Sequence, residues 1–311
     1  MKISVCFASD DRYAEHLGVA VTSILHSRGS EDEFAFYILD GGISEENKKK
    51  ILSLEEPGKA KITFVPAAGS LFEGLPDPSP LWSIAIYYRL AAPRLIPGEE
   101  RLLYLDGDVI VRRSLAPLWQ TDLGNSSAAG VADIAAPAHI ARLRRAGFEL
   151  ARYVNTGVLL LDLKKWREEE LTDRFFQFIA AKRNQLSYPD QDALNIILQD
   201  SILPLDPQWN TQTSGEPVEQ TELFQRAAHR AAVIHFLGTK PWRLECRNPF
   251  KSVYEEYWAL SPWKKAFRRF RRQRNRITRR DRRRKLFRIR HLGREKWIVL
   301  FGKTFYHRLP G

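Results

Sequence analysis

The stretch RLLYLDGDVIVRRSL, residues 101–115, reads as a buried strand from Leu102 to Leu105 that runs into two aspartates and continues as Val109, Ile110 and Val111. Side chains at i and i+2 of an extended chain point the same way, so Asp106 and Asp108 are expected to converge on one spot at the strand's end. Two carboxylates held together favour a cation between them. A small hard divalent ion suits such oxygen ligands and commonly shares its shell with substrate phosphates. A solvated acidic turn is the competing reading of a bare D-x-D, so the surrounding sequence has to decide.

Upstream, residues 3–8 read as a first strand stopping at Ser9-Asp10-Asp11. A helix follows from about Tyr13 to His26, with Leu17, Ala20, Val21, Ile24 and Leu25 at helical spacing. A strand over Phe34–Leu39, a helix opening at Ser44 and a strand over Lys61–Val65 repeat the alternation. Pro76–Pro80 mark a loop, and an aromatic helix from about Trp82 to Ala92 carries Arg89. Downstream come a turn at Ser114–Trp119, a small-residue strand Ala128–Ala132 ending in Asp133, and an apolar strand over 154–163. Helices over Lys164–Lys182 and Asp190–Leu198 and a last strand, Val233–Phe236, complete the pattern. The order predicts an α/β fold with a mostly parallel central sheet flanked by helices. Ligands of open α/β sheets gather outside the carboxyl ends of the strands. The prediction places Asp10, Asp106, Asp108, Asp133 and His235 on that rim.

The charge is divided unevenly. Of the net +12 over 311 residues, residues 262–311 carry 20 Lys and Arg against 2 acidic residues, which leaves a mildly acidic body. An enzyme-like domain with a basic appendage fits better than a protein basic throughout. Trp263, Phe267, Phe270 and Ile277 recur on one helical face among arginines. That is the composition of a helix lying on an anionic bilayer. Arginine runs with aromatics also track nucleic-acid phosphates, but no nucleic-acid partner is expected. Cys6 and Cys246 lack any paired spacing, so a reducing, cytoplasmic compartment is expected. Neither a signal peptide nor a membrane span is predicted. P-loop, dinucleotide-binding and nucleophile-elbow motifs are lacking.

His235 within VIHF, followed by Gly238 and Lys240, offers an imidazole, a turn and a cation close together. Two carboxylates and one imidazole suit manganese, with magnesium a second choice, and leave places for phosphate oxygens. Lys240 would neutralise those phosphates and help the leaving group depart. The acid closing the first strand, Asp10-Asp11, reads equally as a base or ribose contact and as a helix N-cap.

Six segments together, FASDDRYAEHLGVAVTSIL, LDGGISEEN, LYLDGDVIVRRSLAPLW, NTGVLLLDLKKWRE, PDQDALN and IHFLGTKPW, resemble glycosyltransferase family 8 in order from residue 3 to about 242. The likeness is strongest to bacterial members that add galactose or glucose to the lipopolysaccharide core. The resemblance implies a nucleotide-diphospho-sugar transferase (GT-A) fold. It implies that Asp106, Asp108 and His235 bind Mn²⁺, and that Ala8, Asp10 and Tyr13 hold the uridine of UDP-galactose or UDP-glucose. Gly238 and Lys240 match the diphosphate loop. Arg89, Asn155, Asp190 and Gln191 match positions lining the donor sugar, with Gln191 beneath the anomeric carbon. Three positions depart from the pattern: Arg12 stands where Asn is usual, Leu81 where some members have His, and one residue separates Gly238 from Lys240 where two are usual.

Such enzymes retain the anomeric configuration. Gln191 is a poor nucleophile because an amide carries no charge, which favours a same-face reaction over double displacement through a carboxylate. The expectation is a catalytic domain over 1–250 and a basic, helical, membrane-associating tail over 251–311. It would transfer hexose to a membrane-borne glycan at the inner face of the cell membrane. The rivals are a nucleotidyltransferase that makes a UDP-sugar, and a nucleic-acid-binding protein with an inactive body.

Overall fold

The computed structural model describes residues 1–67, 69–77, 83–214, 229–292, 295–300 and 303–308, with side chains up to residue 277. Leu81, Trp82 and the Pro78–Pro80 part of the expected loop lie outside the described residues. The chain forms two compact units, Met1–Trp263 and Lys264–Gly311, a later division than the expected 250/251.

In the first unit the strands are β1 (Lys2–Ser9), β2 (Glu33–Asp40), β3 (Ala60–Pro66), β4 (Arg101–Leu105), β5 (Val109–Val111), β6 (Ala128–Ala132), β7 (Val154–Asp162), β8 (Ile202–Pro204), β9 (Thr211–Thr213) and β10 (Val233–Phe236). The helices are α1 (Ala14–Ser27), α2 (Glu45–Leu52), α3 (Ala92–Leu95), α4 (Ala116–Trp119), α5 (Ala136–Arg145), α6 (Leu163–Glu168), α7 (Leu171–Lys182), α8 (Pro189–Ile197) and α9 (Lys251–Leu260). Seven strands form the main sheet in the order β3-β2-β1-β4-β7-β6-β8, and β5-β10-β9 form a small second sheet. β7 alone runs against its neighbours in the main sheet. Its beginning therefore lies beside the carboxyl end of β4, with Val158 opposite Leu105. That reversal brings Asn155, from the start of a strand, to the rim where β4 delivers Asp106.

Helices cover both faces, so β1 and β7 are buried almost throughout. α1 is buried along nearly its whole length beneath the Lys251–Leu260 helix. Tyr254 Oη and His16 Nδ1 lie 2.8 Å apart across that contact, and Trp258 Nε1 donates to Glu15 at 2.6 Å. Gly18 makes room for Trp263, whose ring a Cβ there would meet at 2.2 Å. Each fully buried Leu or Ile in such a layer contributes about 1.5–3 kcal/mol.

Several local expectations are corrected. Residues 106–108 do not continue a strand: β4 ends at Leu105, the chain turns through Asp106-Gly107-Asp108, and β5 enters the second sheet. The expected Trp82–Ala92 helix is a 3₁₀ run, Ile84–Ala91, leading into α3 with Pro93 in its first turn, where proline is tolerated. The expected Lys164–Lys182 helix is broken at Glu170, which has φ +52. α5 was not anticipated, because alanine, proline and histidine dominate its start.

The second unit contains the expected basic helix, Lys264–Leu286, followed by an unanticipated antiparallel meander of Phe287–Leu292, Glu295–Leu300 and Lys303–Arg308. Alternation of Phe287 and Ile289 with Arg288 and Arg290 was present in the sequence but hidden by the charge. Trp263, Phe267 and Phe270 are buried, whereas Ile277 is 43% exposed. No helix among the described residues is long and apolar enough to cross a membrane.

Candidate active site

Two chain reversals assemble the site. The turn after β4 presents Asp106 and Asp108, and β10 carries His235 opposite Val109 of β5. Backbone bonds lock the junction: Asp106 N donates to Gly157 O at 2.8 Å and Phe236 N to Asp108 O at 3.0 Å. The three side chains each offer a ligand atom, all within 4.8 Å of one another. His235 Nε2 stands 3.2 Å from Asp108 Oδ1 and 3.8 Å from Asp106 Oδ2. Gly157 is required here, since a Cβ would meet His235 Cε1 at 2.2 Å and Asp106 Oδ2 at 2.8 Å.

Asp108 Oδ1 is buried and accepts no hydrogen bond among the described residues. An orphaned carboxylate oxygen beside an imidazole nitrogen and a second carboxylate is a donor set suited to a divalent cation such as manganese. The other oxygen, Oδ2, accepts from Lys240 Nζ at 2.6 Å, and Lys240 also donates to Phe236 O at 2.6 Å. The short loop therefore suffices for Lys240 to reach the cluster. Gly238 supplies its left-handed turn at φ +57. Burial opposes ionisation of Asp108, but the Lys240 ammonium beside it outweighs that and holds the carboxyl well below its ordinary range.

On the other side of Asp106, Arg89 is buried and fully engaged. It reaches Asp106 Oδ1 at 3.0 Å and Asp190 Oδ2 at 3.2 Å. It also donates to Thr156 O at 2.8 Å, and its guanidinium lies 4.6 Å from the Tyr104 ring centroid. Tyr104 Oη donates to Asp106 Oδ1 at 3.1 Å. Burial raises the Asp190 pKa, Arg89 opposes the rise, and Asp106 adds to it. Asp190 and Gln191 occupy the first turn of α8, where the helix end favours negative charge. Asn195 pins that helix to the start of β7 through both the N–H and C=O of Val154, at 2.7 and 2.9 Å. Gln191 Oε1 accepts from Thr156 N at 3.0 Å, while its Nε2 donates to Asp133 and Tyr153, each at 3.3 Å.

Asn155 donates to Asp133 Oδ2 at 3.0 Å and accepts from Gly157 N and Asn210 Nδ2 at 3.0 and 2.9 Å. Asp10 and Tyr13 sit at the carboxyl end of β1, just past Ala8. Asp10 Oδ1 accepts from Tyr13 N at 3.2 Å and Oδ2 from the Arg12 guanidinium at 2.8 Å. Asp11 accepts from Ser44 N and Asn47 Nδ2. Both acids thus serve local structure, but neither is the N-cap of α1, which is Tyr13 without a side-chain cap bond, and Asp11 instead holds the start of α2. Tyr13 lies edge-on to Trp242, which stacks on His16 at 3.5 Å.

Asp106, Asp108, His235 and Lys240 form one connected group and Arg89, Asp190, Asn155 and Gln191 another, with Asp106 common to both, while Ala8, Asp10 and Tyr13 stand at the end of β1 outside these two groups. Thr156, Gly157 and Asn210 were not anticipated. A glycine inside an apolar strand signals a close approach and could have pointed to Gly157. Asn210 follows a stretch without periodicity and had no such signal.

The sequence profile described as Glycosyl transferase family 8 matches residues 4–246. The chain is 32% identical over 270 residues to the lipopolysaccharide 1,2-glucosyltransferase of Escherichia coli, spanning 84% of this chain and 79% of that one. It is 29% identical to general stress protein A of Bacillus subtilis, over 82% of this chain and 92% of that one. Its fold matches the crystal structure of galactosyltransferase LgtC in complex with donor and acceptor sugar analogs, with a TM-score of 0.74 and 29% identity, covering 83% of this chain and 96% of that one. An α/β fold of this kind with an acidic cluster at its rim defines a glycosyltransferase, and the chain belongs to glycosyltransferase family 8.

Proposed function

We propose that the protein is a retaining, Mn²⁺-dependent hexosyltransferase that moves galactose or glucose from a UDP-sugar to a lipopolysaccharide or another cell-surface glycan. The observation that carries the proposal is the cluster of Asp106, Asp108 and His235 with the orphaned Asp108 Oδ1. Names of the relatives support the substrate class, since one is a glucosyltransferase and another a galactosyltransferase. Asp106, Asp108 and His235 would hold the ion, which when bound would neutralise the diphosphate of the leaving group.

Lys240 adds a second positive charge on the same side. Ala8, Asp10 and Tyr13 form the uridine end, and Gly238 gives the backbone room to approach the diphosphate. The acceptor hydroxyl attacks on the face that UDP leaves. Its oxygen bonds to the anomeric carbon as the carbon–phosphate-oxygen bond breaks, and its proton passes to the departing phosphate oxygen. Gln191, more accessible than Asn155, is the amide placed against the positive centre. Arg89 and Asp190 orient the sugar.

The basic unit would hold the enzyme at the cytoplasmic face of an anionic membrane. The Lys and Arg residues of 262–311 carry that attraction. Each basic residue near such a surface contributes about 1 kcal/mol. Co-sedimentation with anionic but not neutral vesicles is expected, and equal binding to both would refute it.

For the reaction, UDP-galactose and UDP-glucose are offered with and without Mn²⁺, and UDP release and the anomeric configuration of the product are measured. Mn²⁺-dependent transfer with retention is expected. Pyrophosphate as product, or turnover indifferent to metal, would overturn the proposal.

A further inference from the structure

We propose that Asn210 is a positioning residue for the metal centre: relayed from Asn155, it fixes the proton of neutral His235 on Nδ1 and leaves Nε2 free as a ligand. The inference deepens the metal reading above and rests on it for its consequence, though not for its geometry.

The direction of the relay is set at its start by a group that has no choice. The backbone N–H of Gly157 can only donate, and it points at the Asn155 amide at 3.0 Å, so that atom is the Asn155 oxygen. The Asn155 nitrogen then faces Asp133 Oδ2 at 3.0 Å, where a carboxylate accepts. The two ends agree on one orientation. Because Asn155 Oδ1 only accepts, the Asn210 atom 2.9 Å from it is the amide nitrogen. The remaining Asn210 oxygen then lies 3.1 Å from His235 Nδ1, and a hydrogen bond there requires the ring to donate.

In the neutral ring Nε2 consequently carries a lone pair. It faces Asp108 Oδ1 at 3.2 Å and Asp106 Oδ2 at 3.8 Å. Three lone-pair donors then face one place, and Asp108 Oδ1 has no hydrogen-bond partner among the described residues. The alternative tautomer would satisfy that oxygen but would leave two buried acceptors, Nδ1 and Asn210 Oδ1, facing each other. Asn210 is 1% exposed, His235 2% and Asn155 6%, which gives water little access to repair such a mismatch. Partners on the far nitrogen of a ligating histidine fix its tautomer and commonly change metal affinity 10–100-fold when removed.

The test uses the full chain in two measurements. In the metal-free protein, imidazole ¹⁵N spectra are followed upward in pH until the His235 ring is neutral, with its signal assigned by loss in His235→Gln. The neutral ring is expected to carry its proton on Nδ1, and a neutral ring protonated on Nε2 would overturn the proposal whatever any variant does. In Asn210→Leu the Nδ1 preference is expected to disappear and affinity for Mn²⁺ alone to fall about 10–100-fold. An unchanged tautomer and unchanged affinity in a folded variant would also overturn it. If the wild-type protein fails to bind Mn²⁺, the metal reading falls, and the tautomer measurement still decides the relay.

Discussion

The two halves of the site differ in how their polar atoms are satisfied. Around Arg89, Asn155 and Gln191, each side-chain nitrogen and oxygen already has a partner within the protein. Around Asp108 and His235, one buried oxygen has none among the described residues. A complete network holds a shape without help. An incomplete one is tolerated where a further charge is meant to enter. The shared residue is Asp106, with Oδ1 committed to Arg89 and Tyr104 while Oδ2 faces His235.

The sharpest break in this comparison is on the incomplete side. Asp108→Asn removes a ligand charge and the partner of Lys240, and transfer is expected to fall about 10³-fold, or about 4 kcal/mol in the barrier. UDP release titrated against Mn²⁺ reads it, and near-normal turnover would mean that the orphaned oxygen is not a ligand. On the complete side the cost should appear in stability. Arg89→Leu leaves Asp106 and Asp190 without their cation, and urea unfolding should show a loss of about 3 kcal/mol, the lower end for a broken buried pair. The lower end applies because the Asp106 side chain is 25% exposed. Gly157→Ala joins the two effects: its Cβ would overlap His235 and Asp106, so about 1–3 kcal/mol of strain is expected together with weaker Mn²⁺ binding. Weaker binding without any drop in unfolding midpoint would show that the ring yields freely.

The incomplete half was the more legible in sequence. A strand ending in acid, an apolar run carrying His235 and a lysine soon after it are local signals, and the strand-helix alternation announced the sheet. The residues that satisfy the other half come together only through tertiary reversals. The antiparallel course of β7 puts Asn155 and Gly157 on the rim from a strand's beginning, and no periodicity distinguishes a reversed strand from a parallel one. Asn210 reaches His235 because β9 pairs with β10, a contact between three-residue and four-residue strands too short to leave a pattern. For the D-x-D itself the structure gives a different reason for convergence: the carboxylates meet across a turn between two sheets, and strand alternation plays no part.

The smallest expected effect is the most discriminating for mechanism. Burial raises the Asp190 pKa, so folding strengthens its hold on a proton. The sign follows: the native state binds more protons than the unfolded chain above the ordinary carboxylate value of about 3.9, and stability due to this group falls as pH rises through that window. Asparagine mimics the protonated acid and its oxygen can still accept from Arg89. Asp190→Asn should therefore match wild-type stability at low pH and exceed it at neutral pH, in paired urea titrations. Transfer should persist within about 10-fold, because a same-face reaction needs no carboxylate to bond the sugar. A loss of 10³-fold or more with the fold intact would instead assign Asp190 a covalent role and remove the same-face route, while the metal half would stand unchanged.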